Sequence, residues 1–231
     1  MKKFSTALVV SLSLVLASFS SSYGQFRLKL GPSLGLNYNI HTGSDLSQTG
    51  TGFGIVLGGQ VDMDFTPTIG LITNVQFYDN RSGSTTVSGS NQYYDNYGNP
   101  VSSSVSTETS VSLAYFMIEP LFKYKLPRSP IFLFAGPAVG FNVESSYDNT
   151  TTETFPSPYQ SNNSTTHQKG SLQNMLVRFA LKVGGGYNIP VGNLDVTPQV
   201  SFGYGLTKVQ SDFSWRVLTI QALVTVKFKL I

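Results

Sequence analysis

Two histidines stand in the 231-residue chain, and only His41 has chemistry-bearing neighbours, Ser44 and Asp45. A hydroxyl, an imidazole and a carboxylate are the parts of a nucleophile activated by a general base that an acid orients. The three groups must then come within hydrogen-bond reach on a rigid scaffold, and the glycine-rich segment around His41 promises none. His41 and His167 are therefore read as solvated residues of external loops, and no catalysis is expected. Metal sites need His, Cys or carboxylates clustered at ligand spacing; the chain has no Cys and no such cluster, so neither metal nor cofactor is expected. Gly52-Phe53-Gly54 and Gly184-Gly185-Gly186 are not phosphate loops, because no helix follows to supply an N-terminal dipole.

The remaining chemistry is ionic, and the elements that carry it follow from the composition. Charged residues make up 12% of the chain, about half the usual share of a soluble domain. Mean hydropathy is only +0.01, too low for a bundle of membrane helices. Residues 1–24 read as a cleaved export signal: Lys2 and Lys3 precede an uncharged apolar run over 4–19, and small residues Ser22 and Gly24 precede Gln25. Without that segment the net charge is +1 rather than +3. No basic stripe with interleaved aromatics remains, so nucleic-acid binding is excluded.

From Gln25 onward (residues 25–231, one domain) apolar residues recur at every second position, the signature of strands. The last segment is the clearest: Leu218, Ile220, Ala222, Val224, Val226, Phe228 and Leu230 alternate with Thr219, Gln221, Thr225, Lys227 and Lys229. Seven further segments behave alike, beginning near residues 26, 53, 69, 114, 131, 175 and 196. No apolar parity carries Asp, Glu, Lys or Arg, as a lipid-facing surface requires. Short turns fall near 66–67, 127–130 and 190–193, and long polar loops occupy 41–50, 80–108 and 146–171. The expectation is an all-β fold, an eight-stranded antiparallel up-and-down transmembrane β-barrel with short periplasmic turns and long outer loops.

Glycine decides which face is inside. Gly31, Gly35, Gly54, Gly58, Gly136, Gly184 and Gly203, with several others, share the polar parity, whereas Gly59 and Gly185 lie on the apolar one. A crowded small-barrel interior needs small residues beside large ones, so the polar face is expected to point inward. The lumen then holds an ionic cluster of Arg27, Lys29, Asp62, Asp64, Glu119, Lys123, Arg178, Lys182 and Lys227, with Lys125, Lys229, Glu144 and Asp195 on the same parity. Glu119 and Arg178 are placed deepest and expected to pair. Buried charge demands partners, which makes this cluster a structural plug, and eight strands leave no wide channel. Tyr93, Tyr94 and Tyr97, close together in the first long loop, offer a binding surface, since tyrosine supplies rigid amphipathic contact area.

The opening strand over 26–38 with Gly31-Pro32 and Gly35, the Phe134-Ala135-Gly136-Pro137 stretch, Gly184–Tyr187 before a Pro turn, and the closing strand over 218–230 resemble the small outer-membrane β-barrels of Gram-negative bacteria. The likeness is to the OmpA/OmpX-like group and, within it, the PorT-like branch. It implies an integral, monomeric outer-membrane protein in contact with lipid, lipopolysaccharide and the assembly machinery, with an envelope protein or surface glycan as partner. The implied roles are structural, surface-interacting or secretion-accessory, with a narrow channel for small or apolar solutes and a lipid-modifying enzyme as alternatives. Unlike many such barrels the chain ends on Leu230-Ile231 rather than an aromatic residue, and no peptidoglycan-binding domain is expected after it.

Overall fold

The structure, a computed structural model, describes residues 26–44, 46, 48–157, 162–212 and 214–230. The segment read as an export signal lies outside them, as does Asp45. Among the described residues eleven strands occur: β1 (Arg27–Thr42), β2 (Gly50–Asp64), β3 (Ile69–Asn80), β4 (Gly83–Tyr94), β5 (Pro100–Lys125), β6 (Ile131–Thr154), β7 (Ser164–Ser171), β8 (Arg178–Tyr187), β9 (Ile189–Val191), β10 (Leu194–Gly205) and β11 (Arg216–Lys229).

Eight of them close a ring. Antiparallel pairing runs β1–β2–β3–β5–β6–β8–β10–β11, and β11 returns to β1 over a register from Lys29↔Lys229 to Thr42↔Arg216. Closure removes the unpaired edges that an open sheet would present, which is what permits a sheet to sit in lipid. The connections after β2, β5 and β8 are tight, with Arg128 and Gly192 in left-handed conformations at φ 57° and 61°. They lie at one end of the barrel, hereafter the turn end.

The face assignment agrees with the alternation. Leu34, Leu36, Phe53, Val200 and Val224 are exposed on the outside, while Asn37, Gln60, Asn74, Thr197 and Thr225 are buried inside. A Cβ added to Gly31 would stand 1.7 Å from the Val226 carbonyl oxygen, and one added to Gly58 would stand 2.4 Å from that of Val75. At the outward Gly59 the nearest atom would be 3.7 Å away. The inner glycines therefore mark where neighbouring backbones crowd the concave side.

Four features depart from the expectation. Among the described residues the segments over 82–106, 145–154 and 164–170 are largely paired strand rather than irregular loop: β4 pairs β5 from Gly83↔Val111 to Tyr94↔Pro100, and β7 pairs β6 from Ser146↔Ser171 to Glu153↔Ser164. Main-chain pairing organises them although no hydrophobic period announces it. His41 is not a loop residue; it closes β1 and is 3% exposed. Met175 precedes β8 and packs toward the interior rather than lipid, against a cluster of Leu113, Tyr115, Met117, Trp215 and Val217. Glu144 is exposed rather than luminal, because one extra residue, Val143, bulges between Asn142 and Glu144 opposite Tyr115 and Ala114.

Candidate functional site

The lumen is packed in layers from the turn end outward. Lys29 reaches Asp195 at 2.6 Å, and Lys229 stands 3.7 Å from the same carboxylate. Above them Asp62 is shared by Lys123 and, at 2.6 Å, Lys227, while Asp64 takes Lys123 at 2.6 Å and Lys125 at 2.8 Å. Both Lys123 and Lys227 also lie 5.8 Å from the centre of the Phe132 ring. Room for that ring comes from Gly186, where an added Cβ would come within 2.4 Å of it. Arg27 stands at the exposed rim, opposite Asp64 in the register.

The middle layer is built around Glu119. Lys182 donates to both carboxylate oxygens at 2.9 and 2.6 Å, and the side-chain amides of Asn74 and Gln76 add donors at 2.9 and 3.3 Å. Gln60 links Asn74 at 2.7 Å to Gln199 at 3.0 Å, so a chain of amides crosses the lumen. The expected Glu119–Arg178 pair does not form. Lys182, two inward positions further along β8, takes the carboxylate, and Arg178 instead donates to the Val217 carbonyl at 2.8 Å.

Two luminal ions escaped the alternation. Asp79 and Arg81 are 0% and 3% exposed and bond to each other, Arg81 Nε donating at 3.0 Å. Asn37 donates to Asp79, and Arg81 donates to Thr219. Between Gln76 and Asp79, β3 carries one residue more than either neighbour. That bulge shifts the inward parity from even to odd numbers. The remaining signal was two opposite charges two residues apart.

At the far end the polar layers give way to apolar packing. Trp215, the sole tryptophan, is 5% exposed and donates its indole N–H to His41 Nδ1 at 3.1 Å. The ring of His41 is thus committed to closing the barrel's mouth and sits within Cβ-contact distance of Gly83. His167 is exposed and pairs with the Thr150 hydroxyl at 3.1 Å. Among the described residues no three His, Cys, Asp or Glu side chains gather as metal ligands would.

Beyond the mouth, β4, β5, β6 and β7 continue as a four-stranded sheet. Tyr93, Tyr94 and Tyr97 stand at its tip, with exposures of 41%, 72% and 91%. Tyr93 is anchored: its hydroxyl donates to Glu153 at 2.9 Å and its ring meets Phe155 at 5.3 Å. The Glu153 carboxyl is held below the ordinary glutamate range, chiefly by the Ser103 hydroxyl and further by Tyr93 and Asn91. Tyr94 and Tyr97 flank a turn in which Asp95 Oδ1 accepts from the backbone N–H groups of Tyr97 and Asn99 at 2.9 and 2.8 Å, with Gly98 at φ 81°. A groove of about 500 Å3 crosses the base of the sheet, lined by Ser84, Ser110, Ser112, Tyr147 and the Asp148–Lys169 ion pair.

Solved structures that align with this fold include Ail, the attachment invasion locus protein of Yersinia pestis, at 11% identity over 87% of this chain and 98% of that one, TM-score 0.38. Neisserial surface protein A aligns at 12% identity over 87% and 97%, TM-score 0.36. The outer membrane protease OmpT of Escherichia coli aligns at 11% identity over 88% and 96%, TM-score 0.33. No protein with a curated description matches the sequence. The sequence model of the outer membrane protein beta-barrel domain matches residues 41–211. With an eight-stranded closed ring, an apolar outer face and a match over most of its length, the chain belongs to the outer membrane protein beta-barrel domain family.

Proposed function

We propose that this protein is a monomeric surface-interaction barrel whose lumen is a structural plug and whose working face is the projecting β4–β7 sheet. One observation carries the reading. β5 and β6 have 26 and 24 residues, more than twice the roughly 9–11 needed to cross a bilayer. The excess is folded as paired strands, with two exposed tyrosines on a hydrogen-bonded turn. Rigid aromatic contact area on a held scaffold suits binding of an envelope or extracellular protein or a surface glycan. A secretion-accessory role is the same reading with an envelope protein as the partner. Interlocked ion pairs and the Trp215 cap argue against a conducting path, and the commitment of His41 to Trp215 argues against catalysis at the rim.

Photo-crosslinking in intact cells, with the reactive group at Tyr94 or Tyr97, tests the proposal. A discrete crosslinked product is expected from the full chain. That product is not expected with the reactive group at Ser129, in the tight turn after β5 at the opposite end of the barrel. Absence of any product from either position, or steady conductance of the purified protein in planar bilayers, would overturn it.

A further inference from the structure

The upper lumen holds more positive than negative charge. Arg81, Arg178 and Lys182 face Asp79 and Glu119, and both carboxylates are engaged, by Arg81 and Lys182 respectively. Among the described residues no carboxylate forms an ion pair with Arg178, which is 3% exposed. Its Nη2 bonds the Val217 carbonyl, and its Nε has no partner. A buried guanidinium without a counter-charge is costly.

Beside it lies a small cavity lined by Arg81, Glu119, Arg178, Lys182, Thr219 and Gln221, among others. The centre of a water-sized sphere can range over about 10 Å3 of it, which is room for one such particle. Two side chains lining it are buried donors lacking an acceptor: Arg178 at Nε and Gln221 at Nε2. The amide of Gln221 is fixed in this sense because its oxygen accepts from Lys182. Gly203 keeps the space open. It is the inward glycine whose added Cβ would meet nothing nearer than the Thr219 carbonyl oxygen, 3.9 Å away, whereas Gly31, Gly58 and Gly136 abut backbone and Gly140 and Gly186 abut side chains.

We propose that this cavity is a binding site for a small monovalent anion of chloride size, held by Arg178 and Gln221. Unpartnered donors call for an acceptor, and surplus positive charge calls for a negative one. An anion answers both needs, whereas a water would satisfy the donors and leave the charge. The volume excludes phosphate-sized or larger ions. On its far side the lining residues Met117, Ala138 and Ala180 belong to the apolar cluster of Trp215, Leu113 and Val217.

The test is refolding from urea into detergent micelles, with chloride varied against gluconate at constant ionic strength. A site occupied only in the folded state raises the folded-to-unfolded ratio about tenfold for each tenfold rise in chloride above its dissociation constant. The wild type is expected to show this slope. Arg178→Met, which removes the charge but keeps the stem, is expected to fold without it. Gly203→Val, which keeps the charge but fills the cavity, is also expected to lose it. A wild type indifferent to chloride, or a slope unchanged in both variants, would overturn the proposal. If a variant does not fold, crystals of the wild type grown in bromide decide: an anomalous peak beside the Arg178 guanidinium supports the site, and its absence there removes it.

Discussion

Lys182 Nζ contacts both oxygens of Glu119, at 2.9 and 2.6 Å, across the width of β6 in the middle of the lumen. The pair sits where neither partner has solvent to fall back on, being 6% and 1% exposed. Breaking one side of a buried pair leaves the other charge uncompensated, at a cost of about 3–5 kcal/mol. Glu119→Gln is therefore expected to lower the unfolding free energy of the micelle-folded barrel, read from its urea transition, by that amount. The double variant Glu119→Gln, Lys182→Met is expected to recover most of the loss, since the stranded ammonium is gone. Additive losses in a double-mutant cycle would show that the two residues are not coupled.

The inner glycines make a second, sharper contrast. Gly31→Ala would drive a methyl to 1.7 Å from the Val226 carbonyl oxygen, a clash with backbone that no rotamer relieves, whereas Gly59→Ala meets nothing within 3.7 Å. The folded form of such barrels migrates separately from the heat-denatured form on a gel. Gly31→Ala is expected to lose most of that folded band and Gly59→Ala to keep it. Equal yields from the two would contradict the assignment of the crowded side.

Much of this arrangement was legible in the sequence because lipid enforces one-sidedness. Leu34, Val200 and Val224 had to be apolar, and Asp62, Lys123 and Lys227 had to share the other parity. The reading failed where that constraint lapses. The alternation reads only as far as Phe77, where the β3 bulge shifts the parity, so Asp79 fell beyond the strand and Arg81 inside a segment read as a loop. The Ser- and Thr-rich strands β4 and β7 pack against no core, so no period marks them, and they read as loops. His41 failed for another reason: its partner Trp215 is 174 residues away, a closure that local pattern does not encode. The Glu119–Arg178 pairing failed because a strand alternation gives faces, while depth along the barrel depends on register.

Lipid exposure itself is open to test on β11. Val224 is 46% exposed on the outside and its neighbour Thr225 is 0% exposed on the inside. Arginine on the lipid face near mid-bilayer costs about 2–4 kcal/mol, so Val224→Arg is expected to reduce the membrane-inserted fraction strongly. Thr225→Val, which makes the inner face less polar, is expected to insert normally, because the Thr225 hydroxyl has no partner to lose. Membrane fractionation showing loss with Thr225→Val and none with Val224→Arg would reverse the face assignment.

Acid should loosen the projecting sheet before it affects the barrel. The Glu153 carboxylate ties three strands together, accepting from Ser103 on β5 and from Tyr93 and Asn91 on β4, and these bonds hold its carboxyl below the ordinary range. A group whose folded value is lowered adds stability above its unfolded value, about 4.3 for glutamate, and loses it as pH falls through the folded value. Amide protection of β4 and of β5 near Ser103 is therefore expected to be constant from neutrality to roughly pH 4.5 and to fall below it. Glu153→Gln should flatten the profile, because an amide oxygen still accepts but no longer titrates. Amides of β1 and β11 should not respond over the same range, since the Glu153 cluster touches neither strand. A sheet whose protection in the wild type ignores pH down to about 3 would show that the carboxylate does not hold Tyr93 in place.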